Sequence, residues 1–232
     1  MDGECGMLTE ECKALLEERF SFWNELTPEQ QKRLCDSTSQ LRYEKGTSIH
    51  NGRENCLGLL LVRSGQLRVY MLSEQGRDVT LYRMFPGDIC VLSASCVLDA
   101  ITFDVFIDAE EDTDLLVVNS AAFHALADEN VYVRCFGYEI ATKRFSEVMW
   151  AMQQILFMGV DRRLAIFLIE ELEKTGGDTV RLTHEQIARY MGSAREVVSR
   201  MLKYFESEGI VRLSRGGIRV TDFDKLRELA GK

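Results

Sequence analysis

Proline is scarce in this sequence, and no long apolar run is present. The chain has 232 residues and only 2 prolines, too few for a proline-rich linker or tail. Its longest apolar run, residues 57–62, is much shorter than the ~18 residues that cross a bilayer. Residues 1–12 contain acidic residues but no basic residue and no apolar stretch, unlike a secretory signal. We therefore expect a folded, cytoplasmic protein with no membrane partner.

Histidine is also scarce, and the cysteines do not form metal-binding motifs. His50, His124 and His184 lie far apart, so no His-x-His motif supports a metal-dependent enzyme of the cupin type. The seven cysteines are odd in number, which argues against a disulfide framework in a reducing compartment. Without a Cys-x2-Cys motif an iron–sulfur cluster is unsupported, and isolated histidines do not support haem. The sequence thus predicts neither a metal site nor an enzyme, and the cofactor stays unknown.

The net charge of −9 is distributed unevenly along the chain. Residues 181–219 contain eight basic and four acidic residues, a local net charge of +4, so the remainder of the chain carries −13. A basic patch is thus attached to an acidic body, so the negative net charge does not argue against a nucleic-acid partner.

The periodicity of the sequence predicts an α+β protein with three parts. Residues 1–40 have a helical pattern, with a capping box that begins at Thr27. Short β-prone runs between turn signals follow from residue 41 to 119 and favour a β-barrel of the jelly-roll (double-stranded β-helix) type. Ser64-Gly65 is predicted to be a hairpin turn between two of these runs. We predict N-terminal helices and a barrel over 1–129, a long helix over 130–157 and a separate C-terminal domain over 158–232.

The long helix predicted over 130–157 has an apolar seam with alternating spacings of four and three residues. After Arg134 at its start, the seam consists of Tyr138, Ala141, Phe145, Val148, Met152 and Ile155. This spacing favours a homodimer, and the alternative is a helix that packs on its own barrel. Gly159 interrupts the pattern, and Asp161 is a candidate cap for the next helix.

Residues 182–202 have the pattern of a helix-turn-helix. Two capping boxes are predicted, one from Thr183 with Gln186 and one from Ser193 with Glu196. Ala188 is small enough for a close helix crossing, and Gly192 can adopt the left-handed conformation that ends the first helix. Val198 is expected to face back into the helix pair.

The outer face of the second helix carries side chains that can read bases. Arginine can donate two hydrogen bonds to guanine, and glutamate can accept one from cytosine. The predicted base-reading residues are Arg195, Glu196, Ser199 and Arg200. Residues 209–220 read as a two-stranded wing, and the predicted phosphate contacts are Thr183, Ser193, Lys203 and Arg215. An alternative is a protein-interaction module, which would lack a salt-dependent affinity for duplex DNA.

These motifs resemble the Crp/Fnr family of bacterial transcription regulators over nearly the whole chain. Residues 191–200 match the family's recognition-helix pattern. Arg195, Glu196 and Arg200 match the Arg-Glu-x3-Arg of the cyclic-AMP receptor branch, whereas Glu196, Ser199 and Arg200 match the Glu-x2-Ser-Arg of the oxygen-sensing branch. The resemblance implies a sensor domain over 1–129, a dimerisation helix over 130–157 and a winged helix-turn-helix DNA-binding domain over 158–232. It also implies a homodimer that reads a two-fold-symmetric operator in double-stranded DNA, with RNA polymerase as a partner if the protein is an activator.

The same resemblance disfavours cyclic AMP as the effector. Gly87-Asp88 matches the start of the family's nucleotide-binding cassette, but the family's Gly-Glu pair corresponds to Val91-Leu92 here. The arginine triplet that holds the phosphate corresponds to residues 103–105, which contain no arginine. A buried phosphate without a cation is costly. The small-molecule effector therefore remains unidentified.

The cassette segment instead contains two cysteines and small polar residues. The candidates for an effector pocket or a redox site are Gly87, Asp88, Cys90, Ser93, Ser95 and Cys96. The alternative, and the commoner fate of free cysteine, is that both thiols are small core residues. No adjacent cation in the sequence would activate either thiol.

Overall fold

The computed structural model describes residues 8–52, 57–74, 76, 78–90 and 104–231. The chain divides into two compact units, one made of residues 1–74 and 81–148 and the other of residues 75–80 and 149–232. No helix in the described ranges is long and apolar enough to cross a membrane.

The first unit has helices before and after its strands, and the second unit is largely helical. Their bounds are α1 Glu10–Arg19, a 3-10 turn Trp23–Glu25, α2 Pro28–Asp36, α3 Ser120–Glu129, α4 Val131–Phe157, α5 Val160–Thr175, α6 His184–Met191, α7 Arg195–Ser207 and α8 Phe223–Ala230.

The strands are short and antiparallel. Their bounds are β1 Thr38–Tyr43, β2 Ser48–Asn51, β3 Leu59–Ser64, β4 Leu67–Leu72, β5 Asp78–Met84, β6 Ile89–Cys90, β7 Phe106–Ala109, β8 Thr113–Val118, β9 Thr179–Val180, β10 Val211–Ser214 and β11 Gly217–Val220. The sheet orders are β1-β8-β3-β6, β2-β7-β4-β5 and β10-β11-β9. The predicted α+β class with a jelly-roll barrel is confirmed.

The predicted hairpin at Ser64-Gly65 is wrong. Strand β3 pairs with β8, and β4 pairs with β7, so the two strands flanking the turn lie in different sheets. Gly65 has a φ of 86°, and a Cβ there would lie 2.4 Å from the carbonyl oxygen of Asp112. Gly65 lies in the β3–β4 turn and Asp112 in the β7–β8 turn. Both turns cross from one sheet to the other, and their backbones approach closely at Gly65.

Strand β3 is buried on both faces, which explains why it coincides with the longest apolar run of the sequence. Leu59 and Leu61 belong to a core shared with the N-terminal helices. Leu60 and Val62 face the barrel interior, in a second core that also contains Cys90. A strand covered on both sides loses the alternation of polar and apolar residues.

The N-terminal helices end earlier than predicted. Thr27 and Gln30 form the predicted capping box, which is confirmed, with Gln30 N–H donating to the Thr27 hydroxyl at 3.2 Å. The helical span nevertheless stops at Asp36, because residues from Thr38 pair with β8 as strand β1. Long-range pairing overrides local propensity here.

Helix α4 has two apolar faces. One face is buried in the first unit and carries Val133 and Phe136; the ring of Phe136 lies 5.0 Å from that of Phe22. The other face leaves several large apolar side chains exposed to solvent: Tyr138, Phe145, Met149, Met152, Ile155 and Leu156. Ala141 and Val148 lie between the two faces and pack partly against the cores of the first unit.

The second unit has its own core, built from α5 to α8 and the three-stranded sheet. Helix α5 begins after Gly159, and no side chain caps it. The prediction that Asp161 caps this helix is therefore wrong. Asp161 lies in the first helical turn, where its negative charge interacts favourably with the positive end of the helix dipole.

Candidate nucleic-acid interface

The first helix of the predicted helix-turn-helix, α6, begins at the predicted capping box. The Gln186 N–H donates to the Thr183 hydroxyl at 3.1 Å, and the Thr183 N–H donates to Gln186 Oε1 at 2.9 Å. This box is confirmed. Ala188 is buried where the helices cross. The small side chain permits the close approach of α7.

Helix α6 ends in a left-handed turn that the sequence predicts correctly. Gly192 has a φ of 60°, a conformation that glycine adopts without steric cost. The Ser193 N–H donates to the carbonyl oxygen of Ala188 at 2.8 Å, as in a Schellman motif. Ser193 therefore closes the end of α6 through its backbone.

The second predicted capping box, Ser193 with Glu196, is wrong. Helix α7 begins at Arg195, its N-cap residue is Ala194, and no side chain caps it. Because Ser193 is committed to the turn after α6, the extended N-cap conformation falls one residue later, on Ala194.

Helix α7 presents polar side chains outward and apolar side chains inward. Val198, Leu202 and Phe205 are fully buried on its inner face. Three of the four predicted base-reading residues are exposed: Arg195, Glu196 and Arg200. Ser199 is half-buried, and its Oγ lies 2.8 Å from Nδ1 of His184. All four occupy the N-terminal half of α7, the part of a recognition helix that contacts base edges.

Arg195 forms a weak ion pair with Glu185. Its Nε lies 4.0 Å from a carboxylate oxygen of Glu185 on α6, and both side chains are about two-thirds exposed. An exposed ion pair at this distance contributes little stability. Arg195 is therefore free to exchange Glu185 for a stronger hydrogen-bond acceptor.

The predicted phosphate-contacting side chains differ in how free they are to bind a phosphate. The Thr183 hydroxyl is part of the capping box, whereas Lys203 on α7 is exposed. Arg215 is exposed in the turn of the β10–β11 hairpin, where Ser214 pairs with Gly217. This hairpin is the predicted wing.

Arg163, a buried arginine that no sequence motif indicated, supports the turn of the helix-turn-helix. Arg163 on α5 donates a hydrogen bond to the carbonyl oxygen of Met191, the last residue of α6. Burial lowers the pKa of Arg163. The helical pattern of α5 gave no signal for this role, because the acceptor is a backbone carbonyl far along the chain.

In the first unit, the described effector candidates are part of the barrel's own structure. The Phe85 N–H donates to a carboxylate oxygen of Asp88 at 2.9 Å, which closes the turn at Gly87. The other Asp88 oxygen lies 3.6 Å from Nη2 of Arg144. Cys90 is fully buried. Ser93, Ser95 and Cys96 lie outside the described residues.

Arg144 organises this region, and the sequence did not point to it. Its Nη2 donates to the carbonyl oxygen of Ile89 at 3.0 Å, and its Nη1 donates to Glu147 at 2.7 Å. The guanidinium also lies 4.6 Å from the centre of the Tyr82 ring, and the Tyr82 hydroxyl lies 3.5 Å from the Cys90 sulfur. Burial raises the pKa of Tyr82 well above its usual value. In the part of the chain that the structure covers, no group of three or more His, Cys, Asp or Glu side chains could hold a metal ion.

An antiparallel barrel followed by a winged helix-turn-helix in one chain is typical of a class of transcription regulators. Family models match both parts: a cyclic nucleotide-binding domain over residues 40–130 and a Crp-like helix-turn-helix domain over residues 162–229. A crystal structure from Eubacterium rectale, assigned to the Crp/Fnr family of transcriptional regulators, is 45% identical with a TM-score of 0.86, and the match covers 93% of this chain and 100% of that one. The chain belongs to the Crp/Fnr family and is a transcription regulator with a helix-turn-helix DNA-binding domain.

More distant relatives are named for different signals. The chain is 27% identical over 205 residues to a cyclic AMP receptor protein of Thermus thermophilus, covering 88% of this chain and 94% of the relative. It is 25% identical over 203 residues to an anaerobic regulatory protein of Haemophilus influenzae, covering 83% of this chain and 74% of the relative. These relatives are transcription regulators, not enzymes.

Proposed function

We propose that the protein acts as a cytoplasmic homodimer that reads a two-fold-symmetric operator in response to a small-molecule or redox signal other than cyclic AMP. The observation that carries this proposal is the exposed N-terminal half of α7, where Arg195, Glu196 and Arg200 stand free of the core. Two such helices, one from each protomer, enter successive major grooves.

Base reading follows from the donors and acceptors on α7. Arg200 supplies two parallel N–H donors for O6 and N7 of a guanine. Glu196 accepts from the N4 amino group of a cytosine. The operator is therefore expected to contain a guanine in each half-site.

Phosphate contacts fix the register of the motif on the duplex. Lys203 and Arg215 are exposed cations, on α7 and at the tip of the wing. Thr183 and Ser193 contribute at the N-terminus of α6 and in the turn before α7. These contacts add affinity without selecting a sequence, so their contribution falls as salt rises.

The homodimer is supported by the outer face of α4. Phe145 is 64% exposed in a single protomer, and Tyr138, Met152 and Ile155 are also exposed. Large apolar side chains in one stripe are typical of a protein interface. Their spacing of seven, seven and three residues keeps the stripe on one side of the helix and suits pairing with the same helix of a second protomer.

The signal is proposed to differ from cyclic AMP, although one relative is named for that nucleotide. The nucleotide-binding cassette lacks its Gly-Glu pair and its arginine triplet. In the barrel, Arg144 already has Asp88 and Glu147 as anionic partners. A redox role for Cys90 requires its thiol to leave the core, since no part of it is exposed.

Selection of binding sites from random duplex DNA tests this function. The full chain is used with thiols reduced, with thiols oxidised, and with cyclic AMP present or absent. We expect a palindrome with a guanine in each half-site and no effect of cyclic AMP; dependence on the thiol state would assign the signal to the cysteines. Arg195→Ala/Arg200→Ala is the control. A palindrome that requires cyclic AMP, or equal enrichment by the control, would contradict the proposal.

A protein-interaction module is the competing function, and salt dependence separates the two. Binding to duplex DNA through several phosphates weakens steeply as the salt concentration rises. Absence of any such binding by the full chain under all conditions of the selection would favour the interaction module.

A further inference from the structure

One proposed base-reading residue shares a hydrogen bond with a histidine on the other helix of the motif. His184 is the first residue of α6, and its Nδ1 lies 2.8 Å from Oγ of Ser199 on α7. Ser199 is half-buried and adjoins the exposed Arg200. A partner on a second helix fixes the serine rotamer, so Ser199 meets the DNA with a preset orientation.

The role of the Ser199 hydroxyl depends on the proton at Nδ1 of His184. A neutral imidazole with a bare Nδ1 accepts the hydroxyl hydrogen, which leaves only lone pairs on Ser199 for the DNA. An imidazole with a hydrogen at Nδ1 donates to the serine oxygen, which leaves the hydroxyl hydrogen free. The protonated ring has hydrogens on both nitrogens and can only donate.

Charged neighbours on α7 act on His184. Burial, together with the positive charges of Arg195 and Lys203, lowers its pKa below the usual value for histidine. On its own helix the nearest acid in sequence is Glu185, which lies 4.0 Å from Arg195. The ring is therefore neutral near neutral pH, and acidification converts it to the form that only donates.

We propose that His184 is a specificity-determining residue that acts through Ser199 and makes the base preference at one operator position depend on pH. This inference rests on the proposed reading of DNA by α7. When Ser199 presents lone pairs, it suits the N6 amino group of adenine or the N4 amino group of cytosine. When Ser199 donates, it suits O4 of thymine or the O6 and N7 of guanine.

The test compares base preference at two pH values with full-length protein. Binding sites are selected from random duplexes at about pH 5 and about pH 8, because the pKa of His184 lies below the usual histidine value of about 6.5. Competition assays then measure the affinity ratio between donor and acceptor bases at each operator position. We compare the natural protein with His184→Asn, which keeps a donor and an acceptor but does not titrate, and with Ser199→Ala.

The natural protein should favour thymine or guanine more strongly at the lower pH, at one position in each half-site. The expected change in the ratio is about threefold to tenfold, the effect of one hydrogen bond. Both variants should give the same ratio at the two pH values. The preference for guanine opposite Arg200 should not change in any of them, since arginine does not titrate.

Different failures have different meanings. If the natural protein selects a palindrome whose preferences are the same at both pH values, the His184 inference is wrong and the proposed function stands. A pH-dependent ratio that persists in Ser199→Ala also overturns it. A change of affinity that is equal at all positions reflects only the added positive charge and counts against it. If no sequence is selected at either pH, the proposed function itself fails.

Discussion

The guanidinium of Arg163 on α5 donates a hydrogen bond to the carbonyl oxygen of Met191 at the end of α6. The last carbonyls of a helix have no partner within the helix, and a buried one needs a donor from elsewhere. Arg163 thus ties the end of α6 to a helix outside the motif and fixes where the turn to α7 begins.

Arg163→Met should loosen α6 while leaving the fold intact. It leaves the Met191 carbonyl without this donor, at a cost of about 1–3 kcal/mol. We expect faster hydrogen exchange of the amides in residues 184–191, measured by mass spectrometry. Glu173→Ala, an exposed change on the same helix, is the control. Equal exchange in the two variants would show that Arg163 does not support α6.

The two serine/threonine positions before the helices of the motif should behave differently. Thr183→Ala removes a capping hydroxyl and should destabilise the second unit by ~1 kcal/mol. Ser193→Ala should change stability little, because Ser193 acts through its backbone N–H. Urea unfolding of both variants measures the difference. A comparable loss of stability in Ser193→Ala would show that the Ser193 hydroxyl caps α7, as the sequence predicted.

Arg200→Ala should relax specificity at one base. We expect a loss of roughly 1–3 kcal/mol in discrimination for guanine at a single position of each half-site. Lys203→Ala, proposed to remove a phosphate contact, should weaken binding to all sequences alike and reduce its salt dependence. Competition binding with operator variants measures both. An Arg200→Ala protein that keeps its sequence preference and loses only affinity would make Arg200 a phosphate contact.

Phe145→Glu should convert the dimer to a monomer. It places a carboxylate in the middle of the exposed apolar stripe of α4, where pairing would bury a charge without a partner. Light scattering gives the mass in solution. Lys143→Glu, at an exposed position of α4 outside the stripe, should remain dimeric. A dimeric Phe145→Glu protein would rule out this stripe as the interface.

The stability of the second unit should fall at acidic pH in a way that depends on His184. The folded structure lowers the pKa of His184 through burial and through Arg195 and Lys203, so the unfolded chain binds the proton more readily. The stability of the natural protein relative to His184→Asn should be constant above about pH 6.5 and decrease below it. Urea unfolding across this range gives the difference. A constant difference would mean that the environment of His184 does not disfavour its proton.

The sequence by itself determined the parts of this protein that depend on local pattern. The capping box at Thr183, the left-handed turn at Gly192 and the outward face of α7 all follow from residue types at fixed spacings. The long helix α4 was also predictable, because its apolar spacing persists over its whole length. These features involve neighbours within about ten residues, and elementary helix geometry relates them.

Only the tertiary structure decided which distant groups meet. The β3–β4 segment crosses between the sheets where Gly65 lies against Asp112, although local turn chemistry favours a hairpin there. Arg144, Arg163 and Ser199 have partners far from them in sequence: the Ile89 carbonyl and the Asp88 carboxylate, the Met191 carbonyl, and the His184 imidazole. These hydrogen bonds require donor–acceptor distances correct to a few tenths of an ångström, and no periodicity in the sequence encodes such distances.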